Sequence, residues 1–373
     1  MDTLKSCYSN SCHVGFDNKM SVNNTFVLLF YSWRNLKTFF EIDCSEYGNS
    51  SEQVIMLSME YTFEQTMENS SQVTFFVLAA YDDVGHMKYF YFSIIIVLYI
   101  SIIVANSLLI IVIFVDRNLH EPMYLFVCNL SVNELYGSTA LLPMLLVNLL
   151  SDVHEIQRDY CIFQIFCLYT YGSVEFCNLA VMAYDRYVSI CHPLEYHRMM
   201  TLGKVCLYIL CVWIYSFCKF VITLSLSVRL QLCGNVMNKV YCDNYLLVKL
   251  ACSDTTLNNV FGLVMVFLSV TLPFVLILYS YAKILKICFK SSSARAKALN
   301  TCTPHLVSLA NFSFGCFFEL LSSRSTTAAI ASPGRQILSV YFLVLPPFLN
   351  PIIYGVRTEK VRKAFKKLLL SPS

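Results

Sequence analysis

Residues 90–115 read FYFSIIIVLYISIIVANSLLIIVIFV, twenty-six positions without a single charge. A helix rises about 1.5 Å per residue, so a hydrocarbon core about 30 Å thick is crossed by about 20 apolar residues. This stretch is long enough. Six more follow it, over 123–149, 160–183, 205–228, 257–281, 301–322 and 336–354, separated by short polar connections. The spacing predicts an all-α membrane protein with seven transmembrane helices. Composition agrees: 57% of the 373 residues are hydrophobic and 14% charged, too few charges to coat a soluble globule of this length.

The basic residues set the expected orientation. With the segment before residue 90 outside, the inner connections and tail hold Arg117, Arg186, Arg198, Lys204, Lys283, Lys286, Lys290, Arg295, Lys297, Arg357, Lys360, Arg362, Lys363, Lys366 and Lys367. The outer connections hold Arg158, Arg229, Lys239, Lys249, Arg324 and Arg335. The excess on the first set places the amino terminus outside and the carboxyl terminus in the cytosol of a multi-pass plasma-membrane protein. The expected division is 1–88 as an extracellular segment, 89–356 as the bundle and 357–373 as a cytoplasmic tail. In that tail, 358–370 carries Val361, Ala364, Phe365, Leu368 and Leu369 on one helical stripe, with basic residues opposite, the pattern of a short amphipathic helix lying along the inner leaflet. The net charge of +3 includes no long basic block, so no nucleic-acid partner is expected.

Asn23, Asn49 and Asn69 each begin an Asn-x-Ser/Thr acceptor for glycosylation, consistent with an extracellular face. Residues 26–31 are apolar but too short to span, and 1–66 reads as poorly structured. Met67, closely followed by Asn69 and the first span, reads as a start, with a genuine extension over 1–66 as the alternative.

Polar groups inside the spans carry the mechanism, because each is costly in hydrocarbon unless it meets a partner or a wet cavity. Asn106, Glu134, Glu175, Lys219, Glu319 and Asn350 are such groups. Glu134 and Glu175, two carboxylates near the middle of their spans, call for a proton or a bridging cation. At the inner end of the third span, Asp185, Arg186 and Tyr187 place an acid beside a permanent cation, a pair able to act as a two-state latch. Pro351, after Asn350 and before Tyr354, removes a backbone hydrogen bond and bends the seventh span, and Pro273 does likewise in the fifth. Of the 17 cysteines, Cys128, Cys167, Cys177, Cys206, Cys211 and Cys218 sit in apolar runs as small hydrophobes. Cys161, Cys233, Cys242 and Cys252 lie outside, where oxidising conditions favour bridging, with zinc as the competing reading. The scattered histidines, serines and carboxylates form no nucleophile and base arrangement, so no enzyme is expected. A transporter would show matched repeats with broken helices, and a channel a polar stripe or filter loop; neither is evident.

From Met67 onward the chain resembles the rhodopsin-like G-protein-coupled receptors, and within them the odorant receptors, most closely the fish type. The resemblance rests on Leu119-His120-Glu121-Pro122-Met123-Tyr124, on the thirteen residues from Met182 to Leu194 (MAYDRYVSICHPL), on Ser280-Tyr281, on KALNTCTPHL over 297–306 and on PPFLNPIIY over 346–354. It implies a receptor that takes a small organic odorant from outside and activates a heterotrimeric G protein, of the stimulatory olfactory type that raises cAMP, in olfactory cilia. A non-olfactory receptor for a small molecule or peptide is the nearest alternative. A retinal-binding opsin is excluded by the absence of lysine from 336–354. The resemblance further implies disulfides Cys161–Cys242 and Cys233–Cys252, Trp213 at the middle of the fourth span, and a sodium ion held by Asn106, Glu134, Glu175 and Asn350. Glu134 replaces the usual aspartate. Coupling residues are Asp185, Arg186, Tyr187, Tyr281, Pro351 and Tyr354. The ligand is expected against Leu168, Tyr169, Gly172, Ser173, Met265, Val266, Ser269, Ser313, Phe314 and Phe317, with Lys219 and Glu319 favouring a polar or charged ligand such as an amino acid or amine.

Overall fold

Among the described residues, 73–81, 87–288, 292–324 and 333–370, the computed structural model has seven helices long and apolar enough to cross a membrane. They are α1 (Lys88–Val115), α2 (Pro122–Leu150), α3 (Arg158–Cys191), α4 (Leu202–Val228), a composite α5, α6 (Ser292–Arg324) and α7 (Pro333–Arg357). The short amphipathic α8 (Glu359–Leu370) follows α7. All described residues belong to one unit, Thr62–Ser373. The acceptors Asn23, Asn49 and Asn69, the 1–66 segment and Lys290 lie outside them, as do the side chains of Arg295, Lys297, Arg335 and Arg357.

The bundle is inside out relative to a soluble protein. Val97, Ile100 and Val104 on α1, Leu207, Leu210 and Ile214 on α4, and Val260, Leu263 and Phe267 on α5 point away from the bundle. Asn106, Asn133, Glu134, Glu175, Asn178, His305 and Asn350 are buried within it. Only hydrocarbon makes that exchange favourable. The central helix is α3, which packs on α2, α4, α5 and α6 and contributes the buried Tyr171, Phe176, Leu179 and Met182 to the core.

α5 changes pitch midway. It consists of Thr256–Val266, a wider π turn at Phe267–Thr271 and Leu272–Cys288. The N–H of Leu272 reaches back five residues to the carbonyl of Phe267, next to Pro273, which has no N–H to give. Ser269 sits in this turn and is buried against α4.

The face opposite α8 is closed by a small sheet that the hydropathy pattern did not suggest. β1 (Phe75–Leu78) pairs antiparallel with β2 (Glu155–Gln157) and parallel with β3 (Val236–Met237). Phe76 and Leu78 are fully buried beneath it, and the Tyr81 hydroxyl donates to the carbonyl of Val240 at 2.8 Å. The α4–α5 loop is held by two disulfides, Cys161–Cys242 to the start of α3 and Cys233–Cys252 within the loop. On the other face, Val361 and Ala364 of α8 are buried, whereas Leu368 is turned outward, and Lys360 donates to Glu121 at 2.6 Å.

Close helix approach depends on two glycines. A Cβ on Gly137 would lie 2.4 Å from the Tyr171 ring, and one on Gly315 would lie 3.0 Å from the backbone of Phe342 on α7. The second clash involves main chain and cannot be relieved by a rotamer change. Gly315→Ala is therefore expected to lower the thermal stability of the purified receptor by roughly 1–3 kcal/mol. Gly203→Ala, whose added methyl meets open space, should leave it unchanged or slightly raised; equal unfolding midpoints for the two variants would refute the packing argument.

Candidate functional site

A cavity of ≈ 150 Å³ opens between α3, α4, α5 and α6 beneath the α4–α5 loop. Leu168, Tyr169, Gly172 and Ser173 of α3 and Met265, Val266 and Ser269 of α5 line it, seven of the ten residues named from sequence. The other three belong to α6 and do not. Phe314 is 56% exposed on the outside of the bundle with its ring against Tyr341, Phe317 packs edge-on against Phe274, and Ser313 is buried with its hydroxyl unpartnered. The α6 residues that face the cavity are Cys316, Glu319, Leu320 and Ser323. These four continue the stripe of Phe312, whose ring turns into the interior against Phe176 (5.0 Å) and Tyr171 (5.8 Å), while Ser313, Phe314 and Phe317 lie on the adjoining faces of the helix.

The cavity is walled mainly by carbon, but its polar groups are ordered. On one side, the Lys219 ammonium donates to Ser173 Oγ at 2.6 Å and to Ser269 Oγ, and lies over the rings of Phe220 (4.6 Å) and Tyr215 (4.8 Å). Ser216 also donates to Ser173 Oγ, at 2.9 Å. Lys219 thus reaches the cavity through two hydroxyls. On the other side, Lys239 donates to Glu319 Oε1 and, at 3.1 Å, to Asp243 Oδ2. Tyr241 donates to Glu319 Oε1 at 2.8 Å and Tyr169 to Asp243 Oδ2 at 3.1 Å. This second cluster ties the α4–α5 loop to α3 and α6.

Burial disfavours the Lys239 ammonium, yet the Asp243 and Glu319 carboxylates outweigh it and hold its pKa above the ordinary lysine value. Burial likewise opposes ionisation of Asp243, and Lys239 with the Leu246 N–H more than offsets it, so that pKa is lowered. A lowered Asp243 stabilises the fold above the ordinary carboxylate range and loses that contribution as pH falls through its folded value. A raised Lys239 stabilises below the ordinary lysine range and loses it as pH rises through its folded value.

Deeper in the bundle lies the polar core. Pro351 has no N–H for the carbonyl of Pro347, four residues back, and Asn106 Nδ2 on α1 donates to that oxygen at 2.9 Å. Pro346 similarly leaves the Phe342 carbonyl free, and Tyr171 OH lies 3.1 Å from it and 3.0 Å from Glu134 Oε2. Asn350 Nδ2 donates to Glu134 Oε1 (2.5 Å) and Glu175 Oε1 (3.3 Å), and Asn133 Nδ2 to Glu175 Oε2 (2.9 Å). Ser308 donates to Asn350 Oδ1 at 2.8 Å. All four carboxylate oxygens are engaged, and among the described residues no lysine or arginine is bonded to either group and the amide oxygens of Asn106 and Asn133 are buried without a donor. This donor set fits one small monovalent cation or one shared proton. Asn133 and Tyr171 were not singled out from sequence, although Asn133 is as polar an intruder in its span as its neighbour Glu134. A parallel set is formed by Asn129, which donates to Asn178 at 3.0 Å and accepts from Trp213 Nε1 at 2.9 Å.

Toward α8, Arg186 is paired with its neighbour Asp185, Nε to Oδ2 at 2.9 Å, and Tyr196 OH donates to Asp185 Oδ1 at 2.9 Å. His305 Nε2 lies 2.9 Å from the carbonyl of Leu179 and so must be its donor, which leaves Nδ1 to accept from Tyr281 OH at 2.7 Å. Tyr187 OH meets His192 Nε2 at 3.2 Å, and the Tyr354 hydroxyl is buried without a partner.

The fold is that of the rhodopsin-like seven-helix receptors: the crystal structure of squid rhodopsin superposes with a TM-score of 0.64 over 80% of this chain and 91% of that one, at 18% identity. Sequence narrows the class. The olfactory receptor family profile matches residues 95–372. Human olfactory receptor 10A6 is 32% identical over 81% of this chain and 96% of its own length. Human olfactory receptor 1M1 is 33% identical over 81% and 96%, and rat olfactory receptor 1496 is 32% identical over 82% and 98%. The chain belongs to the olfactory receptor family, whose members are G-protein-coupled signalling receptors and not enzymes.

The Lys239 cluster gives a signed prediction. Lys239→Met strands two buried carboxylates and is expected to destabilise the receptor by about 3–5 kcal/mol near neutral pH. The deficit should shrink below about pH 5 as those carboxylates take up protons. Thermal unfolding across pH measures it, and a deficit that grows on acidification would contradict the cluster's assignment.

Proposed function

We propose that the cavity between α3, α4, α5 and α6 is the odorant site, that it faces the cell exterior, and that its occupation drives a stimulatory olfactory G protein and cAMP production at the plasma membrane of olfactory cilia. The carrying observation is the partly open, largely apolar chamber of ≈ 150 Å³ edged by a few hydroxyls and charges, a size and character suited to a small organic molecule. In this orientation residues 1–88 lie outside and 357–373 in the cytosol, as the distribution of lysine and arginine supports.

The ground state of this mechanism is closed. Arg186 is held by Asp185, and Tyr281 is held by His305 between α5 and α6. A ligand shifts the population only by binding the open arrangement more tightly than the closed one. In the open arrangement the end of α6 near His305 swings out, Arg186 and Tyr281 leave these partners, and Tyr354 with its free hydroxyl joins them to line a cleft for the G protein. Pro351 gives α7 the compliance to follow. The polar core residues Asn106, Glu134, Glu175 and Asn350 would hold a sodium ion, which would supply the positive charge that two buried carboxylates lack. The residues themselves bridge α1, α2, α3 and α7 and resist their relative sliding.

The test is an odorant panel in cells reporting cAMP, with surface level measured by an amino-terminal tag. Arg186→Ala at wild-type surface level should lose at least about tenfold in maximal response, the scale of one buried ionic contact. Undiminished coupling in that variant removes the latch, and a ligand response that raises no cAMP removes the stimulatory assignment.

A further inference from the structure

The buried end of the cavity under the α4–α5 loop presents two carboxylates, and two of its acceptor atoms have no donor among the described residues. Glu319 is 8% exposed; its Oε1 accepts from Lys239 and Tyr241, but Oε2 is buried with nothing bonded to it. Asn244 Oδ1, from the same loop, is also buried and unpartnered. Both residues line the cavity, as does Asp243, whereas Lys239 does not. Asp243 and Glu319 share the single Lys239 ammonium, which lies behind them, and the other cation of the lining, Arg324, sits at the exposed rim over the Tyr245 ring, so the buried end of the cavity sees the carboxylate side. Tyr241 and Tyr245 add aromatic faces to the same wall.

We propose that the receptor's ligand is a small organic ammonium, its charged head at Glu319 Oε2 and Asn244 Oδ1 and its hydrocarbon tail against Leu168, Phe176, Phe220 and Val270. The inference rests on reading this cavity as the odorant site. An ammonium brings three N–H donors and a unit of positive charge, enough to serve both acceptors and neutralise the cluster. An alcohol brings one donor and no charge. A carboxylate brings a third negative charge to an end that already has two, and finds compensation only at the rim, from Arg324, an exposed residue of the lining that lies over the Tyr245 ring. Asn258 Nδ2, the remaining unpartnered polar atom of the lining, is a donor and takes no part in holding the head.

The opposite wall limits the length of the ligand and its second end. Tyr169, bonded to Asp243, and Ser173, bonded to Lys219, are four residues apart on α3, about 6 Å along the helix. A second ammonium on the tail would be driven toward the Lys219 charge. The geometry therefore selects monoamines over terminal diamines.

Hexylamine, hexanol, hexanoic acid and the terminal six-carbon diamine are compared on the full-length receptor, by thermal shift of the purified protein and by G-protein activation in cells. Hexylamine should bind at least about tenfold more tightly than the other three, the scale of one charge-assisted hydrogen bond lost. Glu319→Gln should weaken hexylamine by a similar factor. Should Glu319→Gln fail to reach the membrane, Asn244→Asp, which adds charge at the same end, is expected to strengthen hexylamine several-fold. Absence of hexylamine binding to the wild type, equal binding of hexanol or hexanoic acid, or unchanged hexylamine affinity in Glu319→Gln or Asn244→Asp overturns the proposal. Hexylamine binding without G-protein activation preserves the amine site and removes the signalling reading; activation by neutral odorants without hexylamine binding does the reverse.

Discussion

Lipid donates and accepts no hydrogen bonds, and the interior of this receptor is organised by that single deprivation. α7 contains Pro346, Pro347 and Pro351, and each removes an N–H that a carbonyl one turn earlier would have used. In water those carbonyls would be solvated. Here the Pro347 carbonyl is met by Asn106 and the Phe342 carbonyl by Tyr171, side chains from α1 and α3. The helix with three internal prolines is thereby tied to two neighbours at its defects. Tyr171 reaches onward to Glu134, which Asn350 ties to Glu175, so the defect at Pro346 and the buried carboxylates are one network.

That network explains how a change at the cavity can be felt near α8. Tyr171 sits on α3 between the cavity residues Gly172 and Ser173 and the carboxylate Glu134. Its single proton cannot satisfy both Glu134 and the Phe342 carbonyl at once. A small rotation of α3 or α6, to which Tyr171 is coupled through the Phe312 ring, changes which acceptor is served. Two discrete hydrogen-bonding choices in a close-packed interior give a bistable element, which is what a switch requires. The ionic pair of Asp185 with Arg186 and the hydrogen-bonded pair of Tyr281 with His305 are the corresponding buried polar pairs nearer α8.

The seven helices were legible because hydrocarbon imposes its length on the chain: 90–115 and 123–149 became Lys88–Val115 and Pro122–Leu150, a shift of one or two residues at the edges. Asn106, Glu134, Glu175 and Asn350 were legible because polarity in an apolar run is conspicuous. The β1–β2–β3 sheet was not, since strands of two to four residues leave no periodicity to read. Nor was the joining of Lys239 to Glu319 across 80 positions, because a lysine in a polar loop looks like any solvated lysine. The α6 contacts failed for a third reason. Periodicity left the inward stripe of this helix unsettled by about a residue: Phe312, Cys316, Glu319 and Leu320 face in, whereas Ser313, Phe314 and Phe317, where a ligand was expected, lie on the adjoining faces.

Lys219, behind one wall of the cavity, and Glu319, on its lining, differ in how they tolerate burial, and the difference bears on specificity. Lys219 is surrounded by groups that need nothing further from it: Ser173 has Ser216, Ser269 donates to the Met265 carbonyl, and two rings screen the ammonium. Its charge is spread over hydroxyls before it reaches the cavity. Glu319 keeps one oxygen bare. A buried acceptor left unmade costs about 1–3 kcal/mol until something donates to it, so the free receptor stores a penalty at one end of the cavity and not at the other. A molecule that donates there recovers that penalty in addition to the energy of burying its own carbon. On the proposed amine reading, binding energy and selectivity would arise from the same atom, and a small chamber could discriminate by head group as well as by shape.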